Sequence, residues 1–190
     1  MVSPLQPTPY KLPPFRVVLV EPEIPSNTGS IARLCAATRS ELHLVHPLGF
    51  RLDDAAMRRA GMDYLDLAAI REHRSLAEAL PDGARAWFFS TKATRPLWEA
   101  DFQPGDSLVF GRETKGLPEE LLARHPDCVL RIPMTEPKAR SLNLAVSAGI
   151  ALYEALRQTS RARDSTGYQT HSGHKTPVAR RVPRRVLPDL

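Results

Sequence analysis

Five short apolar runs, each followed by a loop with Gly, Pro or polar residues, limit the folds open to this chain more than any other feature. They are five to seven residues long, and most are rich in Val, Leu, Ile or Phe. The runs occupy residues 15–20, 42–46, 84–90, 106–110 and 128–132. Near-continuous runs of this kind are typical of strands buried on both faces of a parallel sheet.

Helical segments alternate with these runs. Residues 53–61, 75–80 and 118–125 are predicted to form short helices, a longer one begins near Gly29, and another covers about 142–156. Strands that alternate with helices are typical of α/β folds. The sequence therefore predicts an α/β sandwich, in which a mostly parallel sheet lies between helices.

The fifth run leads through a proline-containing loop into the last helix. Pro133 and Pro137 remove two backbone donors and keep both strand and helix out of this loop. Ser141 or Asn143 can cap the helix. Gly149 costs about 1 kcal/mol relative to Ala inside a helix, which predicts that another backbone approaches closely there. A buried helix after a loop is the ordinary interpretation, but the polar Ser-x-Asn start also suits a ligand held by backbone groups.

The loop after the first run contains two prolines and precedes the first helix. Asn27 or Thr28 can cap this helix, and its buried face is marked by Ile31, Leu34 and Cys35. Arg33 lies off that face, near the helix start, where its charge opposes the helix dipole. A solvated arginine and a functional one are equally open at this point, although α/β proteins bind ligands at the carboxyl ends of parallel strands.

Positive charge is concentrated at one end of the 190-residue chain. Residues 161–190 contain seven Lys or Arg against two Asp or Glu, so residues 1–160 contain 19 of each and are neutral. We predict a disordered leader at 1–14, which has five prolines, a folded domain at 15–158 and a basic flexible tail at 159–190. On charge alone the tail is either a phosphate-binding arm or a solvated segment without function.

Several classes of protein are disfavoured. Cys35 and Cys128 lack C-x-x-C spacing and no early apolar signal segment precedes them, which predicts core cysteines in a reducing cytosol. His43 and His46 should point to opposite faces of their strand and cannot share a metal ion, so we expect no metal site. The longest uncharged run, residues 141–153, has 13 residues and is too short to cross a membrane.

Two nucleotide-binding motifs are incomplete. Gly111 and Gly116 have the spacing of a phosphate-binding P-loop, but Leu117-Pro118 replaces the Lys-Ser/Thr that this loop requires. No two glycines stand two positions apart, so the dinucleotide fingerprint G-x-G-x-x-G is absent as well. A nucleoside ligand without phosphates fits such loops better than a nucleoside triphosphate.

Three motifs together resemble the SPOUT class of S-adenosylmethionine-dependent RNA methyltransferases. In chain order they are Pro25-Ser-Asn27-Thr-Gly29-x-x-x-Arg33, Phe110-Gly111-x-Glu113-x-x-Gly116-Leu117, and Ile132-Pro133-Met134 followed by Ser141-Leu-Asn143. Residues 21–25, 58–64 and 145–147 further resemble the members that methylate the ribose 2′-oxygen of the wobble nucleotide in leucine tRNAs. The resemblance covers about residues 15–158. Arg39 departs from it, because the family usually has Gly at this helix end.

This resemblance implies a deep trefoil knot, bound S-adenosylmethionine and a homodimer in which a second subunit completes each active site. It implies that main-chain groups of four residues hold the cofactor, with Ser141 at the start of the last helix. These four residues are Phe89, Gly111, Ile132 and Met134. A side chain at Gly111 would collide with a ligand lying on its loop.

The resemblance also implies roles in catalysis. Arg33 would stabilise the ribose alkoxide or hold an adjacent phosphate, and Asn27 and Asn143 would position it. Glu113 would organise its loop. Candidate contacts to the tRNA phosphates are Arg58, Arg59, Lys92 and the basic tail.

Other functions remain open on the sequence alone. A related 2′-O-methyltransferase could act on another tRNA position or on ribosomal RNA. A non-catalytic RNA-binding protein could keep the fold without the cofactor. A small-molecule enzyme could use Cys35 or a histidine. We expect the minimal wobble-position enzyme ahead of these alternatives, and we expect it in the cytoplasm.

Overall fold

The computed structural model describes residues 15–53, 55–61, 64–80 and 82–164. In this part of the chain six strands form one parallel sheet with the order β3-β2-β1-β5-β4-β6. The strands are β1 (Arg16–Val20), β2 (Glu41–Val45), β3 (Ala69–His73), β4 (Ala86–Phe89), β5 (Ser107–Phe110) and β6 (Val129–Leu130). The prediction of an α/β fold with a mostly parallel sheet is confirmed.

All five predicted strands are present, and β3 is the strand that the apolar runs did not predict. Its sequence, Ala-Ile-Arg-Glu-His, has no continuous apolar run. It pairs only with β2 and lies at the edge of the sheet, where three of its five residues are exposed. An edge strand can keep polar side chains, so β3 lacks the apolar run of a strand that is buried on both faces.

Helices cover both faces of the sheet. They are α1 (Pro25–Thr38), α2 (Ala55–Gly61), α3 (Leu76–Ala79), α4 (Glu119–Arg124) and α5 (Leu144–Asp164), with short 3-10 helices at Leu97–Glu99 and Pro126–Cys128. The predicted leader, residues 1–14, and residues 165–190 of the predicted tail lie outside the described residues.

Helix α1 begins four residues earlier than the sequence indicates. Pro25 occupies its first turn, where proline needs no hydrogen-bond acceptor, and Ile24 is the N-cap residue without a side-chain cap. The expectation that Asn27 or Thr28 caps the helix is therefore wrong, since both are buried inside it. At the other end Arg39 has a φ of 57°, the left-handed conformation that the family's glycine would adopt without strain.

The sheet has an apolar core on each face. Val17 and Leu19 of β1 pack on the side of α1 and α5, and Val18 packs on the side of α3 and α4. Small residues let α5 approach the first face closely. The fully buried positions of this helix include Ala148, Ala151, Leu152 and Ala155.

Larger apolar residues of α5 point the other way. Val146 is 50% exposed, Ile150 38% and Tyr153 59%. A Cβ atom built on Gly149 meets no other atom within 4 Å, so the close backbone approach predicted there is not found within the described chain.

Candidate active site

Four strands of the sheet end at a common cavity. In a parallel sheet the carboxyl ends of strands lie at one edge, and the loops that follow β1, β4, β5 and β6 meet there. The cavity has a volume of about 640 Å³, a size typical of sites for small molecules and cofactors. All five predicted cofactor-binding residues line it: Phe89, Gly111, Ile132, Met134 and Ser141. Asn27, Lys92 and Asn143 line it as well.

Gly111 is required by the fold of its own loop. A Cβ atom at this position would lie 2.1 Å from the carbonyl carbon of Gly116 and 2.3 Å from the amide nitrogen of Leu117. The loop closes on itself because the Gly116 N–H donates to the Arg112 carbonyl at 2.8 Å and Gly116 has a φ of 68°. Collision with a ligand is therefore not needed to explain the glycine, although Gly111 still forms part of the cavity wall.

Glu113 ties the loop after β5 to the loop after β1. Its carboxylate accepts hydrogen bonds from the Glu23 N–H at 2.8 Å, the Ile24 N–H at 3.2 Å and the Asn27 side-chain amide at 2.9 Å. Hydrogen bonds to an ionised carboxylate are stronger than those between neutral groups, so these three bonds hold the two loops together. The geometry agrees with the loop-organising role expected for Glu113.

A second carboxylate makes the reciprocal contact. Glu23 accepts from the Thr114 N–H at 3.0 Å and from the Thr114 hydroxyl at 2.8 Å. Gly49 packs against this loop. Its N–H donates to the Pro22 carbonyl, and a Cβ atom at Gly49 would lie 2.8 Å from the Cα of Glu23. Gly49 was not predicted, and its place in a Pro-Leu-Gly loop was the signal in the sequence.

Asn27 and Asn143 connect these loops to α5. The Asn143 side-chain amide donates to the Asn27 side-chain oxygen at 2.9 Å, and Asn27 is 6% exposed. The Asn143 oxygen accepts from the N–H groups of Ala145 at 2.9 Å and Val146 at 3.2 Å, which is an N-cap interaction. Of the two predicted caps of α5, Asn143 is the one used, and Ser141 instead lines the cavity.

The predicted arginines lie away from the cavity. Arg33 is exposed on α1, with its guanidinium carbon 5.1 Å from the ring centre of Tyr64, and it is not among the cavity-lining residues. Arg58 and Arg59 are exposed on α2, which packs against α1. The structure therefore brings Asn27 and Asn143 together at the cavity and places these three arginines on a neighbouring surface.

Lys92 lines the cavity and forms an ion pair with Glu119 at its rim. The hydrogen bond and charge of Lys92 lower the pKa of Glu119 below its usual range. Besides Lys92, Glu119 and Glu113, three cations line the cavity that were not predicted: Arg112, Lys115 and Arg140. They lie between motif residues on the predicted loops, so position in those loops was the signal that could have found them.

No cysteine or histidine of the described residues lines the cavity. Burial raises the pKa of the Cys35 and Cys128 thiols, which makes both poor nucleophiles, and neither cysteine lines the cavity. His43 is buried in β2, whereas His46 is exposed and contacts Glu72 at 2.8 Å. No group of three or more metal-binding side chains occurs among the described residues.

Comparison with known proteins agrees with this geometry. Residues 14–153 match the SpoU rRNA Methylase family, and the chain belongs to this family. The SPOUT-class prediction made from the three motifs is thereby confirmed.

Two similar proteins are described by a more specific activity. The tRNA (cytidine(34)-2′-O)-methyltransferase of Burkholderia cenocepacia (strain HI2424) is 50% identical over 149 residues, which cover 76% of this chain and 95% of the relative. A solved structure that concerns the 2-OH methylation of C/U34 on tRNA is 52% identical with a TM-score of 0.72, and the match covers 76% of this chain and 95% of that one.

A more distant relative contains the cofactor. The SpoU methyltransferase AviRb from Streptomyces viridochromogenes, in complex with AdoMet, is 25% identical with a TM-score of 0.68. The match covers 79% of this chain and 59% of that one.

None of the helices in the described part of our chain is both long and apolar enough to cross a lipid bilayer.

Proposed function

We propose that this protein transfers a methyl group from S-adenosylmethionine to the ribose 2′-oxygen of nucleotide 34, a cytidine or modified uridine, in leucine tRNAs. The observation that carries the proposal is the meeting of all three motifs at one cavity. The relative that is 50% identical, named for methylation of cytidine 34, supports the choice of nucleotide. Such an enzyme acts in the cytoplasm, where tRNAs are modified.

The cavity suits the proposed cofactor. Its lining includes the loops at Gly111 and Ile132. Phe89 and Phe110 also line it, and their rings stack with centres 4.6 Å apart. Leu117-Pro118 follows Gly116 in place of the Lys-Ser/Thr pair that a triphosphate-binding loop has after its second glycine. A nucleoside with a sulfonium side chain fits such a lining, and the AdoMet complex of AviRb supports this identification.

The reaction requires an activated ribose oxygen. S-adenosylmethionine, when bound, supplies a methyl group on a sulfonium. The ribose hydroxyl is a poor nucleophile until its proton is lost or shared, so the site needs a base or a cation that favours the alkoxide. We assign this role to Arg33, either through the alkoxide or through an adjacent phosphate, and we assign to Asn27 and Asn143 the positioning of the surrounding loops.

The exposed side of α5 supports a homodimer. Four apolar residues follow one another at intervals of three or four along α5 and the turn before it, and we call them the α5 strip: Leu142, Val146, Ile150 and Tyr153. They are 37% to 59% exposed. A contiguous apolar surface of this kind is typical of a protein interface.

The α5 strip also begins at the cavity, because Leu142 lines the cavity as well. A second copy that packs on the strip therefore reaches the mouth of the site. We propose that Arg33 of the partner subunit completes each active site, which agrees with the position of Arg33 outside its own cavity.

The decisive experiment is nucleoside analysis of tRNA. Leucine tRNAs purified from a strain that lacks the gene should have lost 2′-O-methylcytidine and the 2′-O-methyluridine derivative, and the purified protein should restore them in the presence of S-adenosylmethionine. A leucine tRNA with a 2′-deoxy nucleotide at position 34 is the matched control, since it lacks only the accepting oxygen. Normal methylation of nucleotide 34 in the deletion strain would rule out the proposed substrate.

A second function within the family is methylation of ribosomal RNA, which the family description names. The same deletion strain separates the two, because the missing 2′-O-methyl group would then be found in ribosomal RNA. A non-catalytic RNA-binding protein would instead show no heat of binding with S-adenosylmethionine in calorimetry.

A further inference from the structure

Six charged side chains of the described residues line the cavity, and four of them are already engaged. Lys92 pairs with Glu119, Arg112 pairs with Glu21 outside the cavity, and Glu113 accepts the N–H donors of the loop after β1. The remaining two are cations, and neither makes a hydrogen bond or ion pair with a described residue: they are Lys115 and Arg140.

These two cations come from two different loops of the site. Lys115 lies between Gly111 and Gly116 in the loop that closes on itself after β5. Arg140 immediately precedes Ser141 in the loop between β6 and α5. Both side chains are exposed, so they lie on the solvent side of the cavity wall and are accessible to a large ligand.

The charge balance favours an anionic ligand at this position. The two cavity carboxylates are both neutralised or hydrogen-bonded, because Glu119 faces Lys92 and Glu113 faces several N–H donors. Two uncompensated positive charges therefore remain on the cavity wall. An arginine binds a phosphate through two parallel N–H donors, and a lysine adds a point charge.

We propose that Arg140 and Lys115 bind the phosphodiesters that flank the methylated nucleotide and so present its ribose to the cavity. This inference rests on the proposed function, since it assumes that the substrate is RNA. It adds two substrate-binding residues to the three predicted from the sequence. A competing ligand for the same charges is the carboxylate of the cofactor, and the experiment below separates these two.

The test uses the full-length protein with Arg140→Ala and Lys115→Ala, and Lys138→Ala as the matched control. Lys138 is an exposed cation two residues before Arg140 that does not line the cavity. Four quantities are measured: the salt dependence of binding to leucine tRNA, the KM of methylation, its kcat, and the Kd for S-adenosylmethionine.

We expect each alanine variant to reduce the slope of log K against log salt by about 0.7 to 0.9, the value for one phosphate contact. The KM for tRNA should rise about tenfold with little change in kcat, in line with the loss of one charged hydrogen-bonded contact. Arg140→Lys should restore the salt slope because it restores the charge. The Kd for S-adenosylmethionine and all values of Lys138→Ala should stay within about twofold of the wild type.

Two results overturn the inference: an unchanged salt slope in both variants, or a loss of S-adenosylmethionine affinity that accounts for the whole effect. The second result would assign the cations to the cofactor. Failure of the proposed function is recognised separately. The wild-type protein would then not methylate nucleotide 34, while the two alanine variants could still show a smaller salt slope of RNA binding than the wild type. In that case the phosphate contacts stand and the proposed nucleotide is wrong.

Discussion

The side-chain oxygen of Asn27 accepts a hydrogen bond of 2.9 Å from the side-chain amide of Asn143, a residue 116 positions further along the chain. Because the Asn27 amide donates in turn to Glu113, one buried asparagine joins the loops after β1 and β5 to the first turn of α5. Each of its polar groups has a partner from a different loop. Asn27 therefore helps to fix the shape of the cavity, although it lies inside a helix.

Asn27→Ala should lower the free energy of unfolding by about 2 kcal/mol, because it leaves polar groups of Glu113 and Asn143 without their buried partner. A double-mutant cycle with Asn143→Ala should give a coupling energy of about 1 kcal/mol in urea unfolding. Ser26→Ala, an exposed position on the same helix, is the control and should change little. Additive effects of the two asparagine substitutions would show that the hydrogen bond does not couple the loops.

Gly111→Ala should weaken the binding of S-adenosylmethionine more than tenfold. The added Cβ atom would lie 2.1 Å from a backbone carbon of Gly116, so the loop must open, at a cost of about 1 to 3 kcal/mol. Gly149→Ala is the matched control because its Cβ atom meets nothing within 4 Å. Calorimetry with S-adenosylmethionine measures both, and a Gly111→Ala variant with normal affinity would remove this loop from the cofactor site.

Much of the site could be predicted because its residues follow the ends of predicted strands. The family resemblance named Phe89, Gly111 and Ile132, and the strand prediction explains why they meet, because the carboxyl ends of parallel strands share one edge of the sheet. The function of Gly111 could not be derived in this way. A Cβ atom at this position would clash with Gly116 and Leu117, and this clash follows from the closed geometry of the loop.

Other features escaped prediction because they depend on neighbours that are distant in the chain. Strand β3 is polar and is held in the sheet by β2 alone, so its own sequence carries no signal of a buried strand. The contact of Glu23 with Thr114 spans 91 positions. The outward position of Ile150 follows from the packing of α5 through its alanines, which apolarity alone does not predict.

Ile150→Glu should convert the proposed dimer to a monomer and abolish methylation, because it places a charge in the middle of the α5 strip. Size-exclusion chromatography with light scattering measures the mass, and thermal unfolding checks that the subunit still folds. Ala123→Glu, an exposed position on α4 at the opposite face of the sheet, is the control and should stay dimeric. A fully active monomer would contradict the proposal that the site is shared between subunits.

Arg33→Ala should retain S-adenosylmethionine binding and lose methyl transfer by a factor of about 100 or more, as expected for a group that acts on the reacting oxygen. Mixed dimers test whether it acts across the interface. One subunit carries Arg33→Ala, and the other carries Ser141→Trp, which fills its cavity from an exposed position. If Arg33 acts in the partner's site, the mixed dimer keeps one intact site of two and about half of the wild-type activity. No activity in the mixed dimer would show that Arg33 serves its own subunit.

Acidification should destabilise the protein through His43. This histidine is buried in β2, with Nδ1 2.9 Å from Nε2 of His73, and Glu41, Arg16 and Arg71 are the other charged groups around it. Burial lowers the pKa of His43 below its ordinary value of 6.5, and the nearby His73 adds to this effect.

The direction of the pH effect follows from this shift. A group whose pKa is lower in the folded state binds its proton first in the unfolded chain, so protonation favours unfolding. The stability contribution is complete above pH 6.5 and is lost as the pH falls below that value towards the pKa of the folded state. His125, whose pKa is also lowered by burial, should add to the same slope. Urea unfolding between pH 7.5 and 5 measures it.

His43→Gln should flatten this pH dependence, since it removes the titrating group while keeping a polar side chain. Val45→Ala is the matched control, because it is buried on the same strand and does not titrate. It should lower the free energy of unfolding at every pH and leave the slope unchanged. An unaltered slope in His43→Gln would assign the acid sensitivity to other groups and would leave the pair of His43 and His73 with a packing role only.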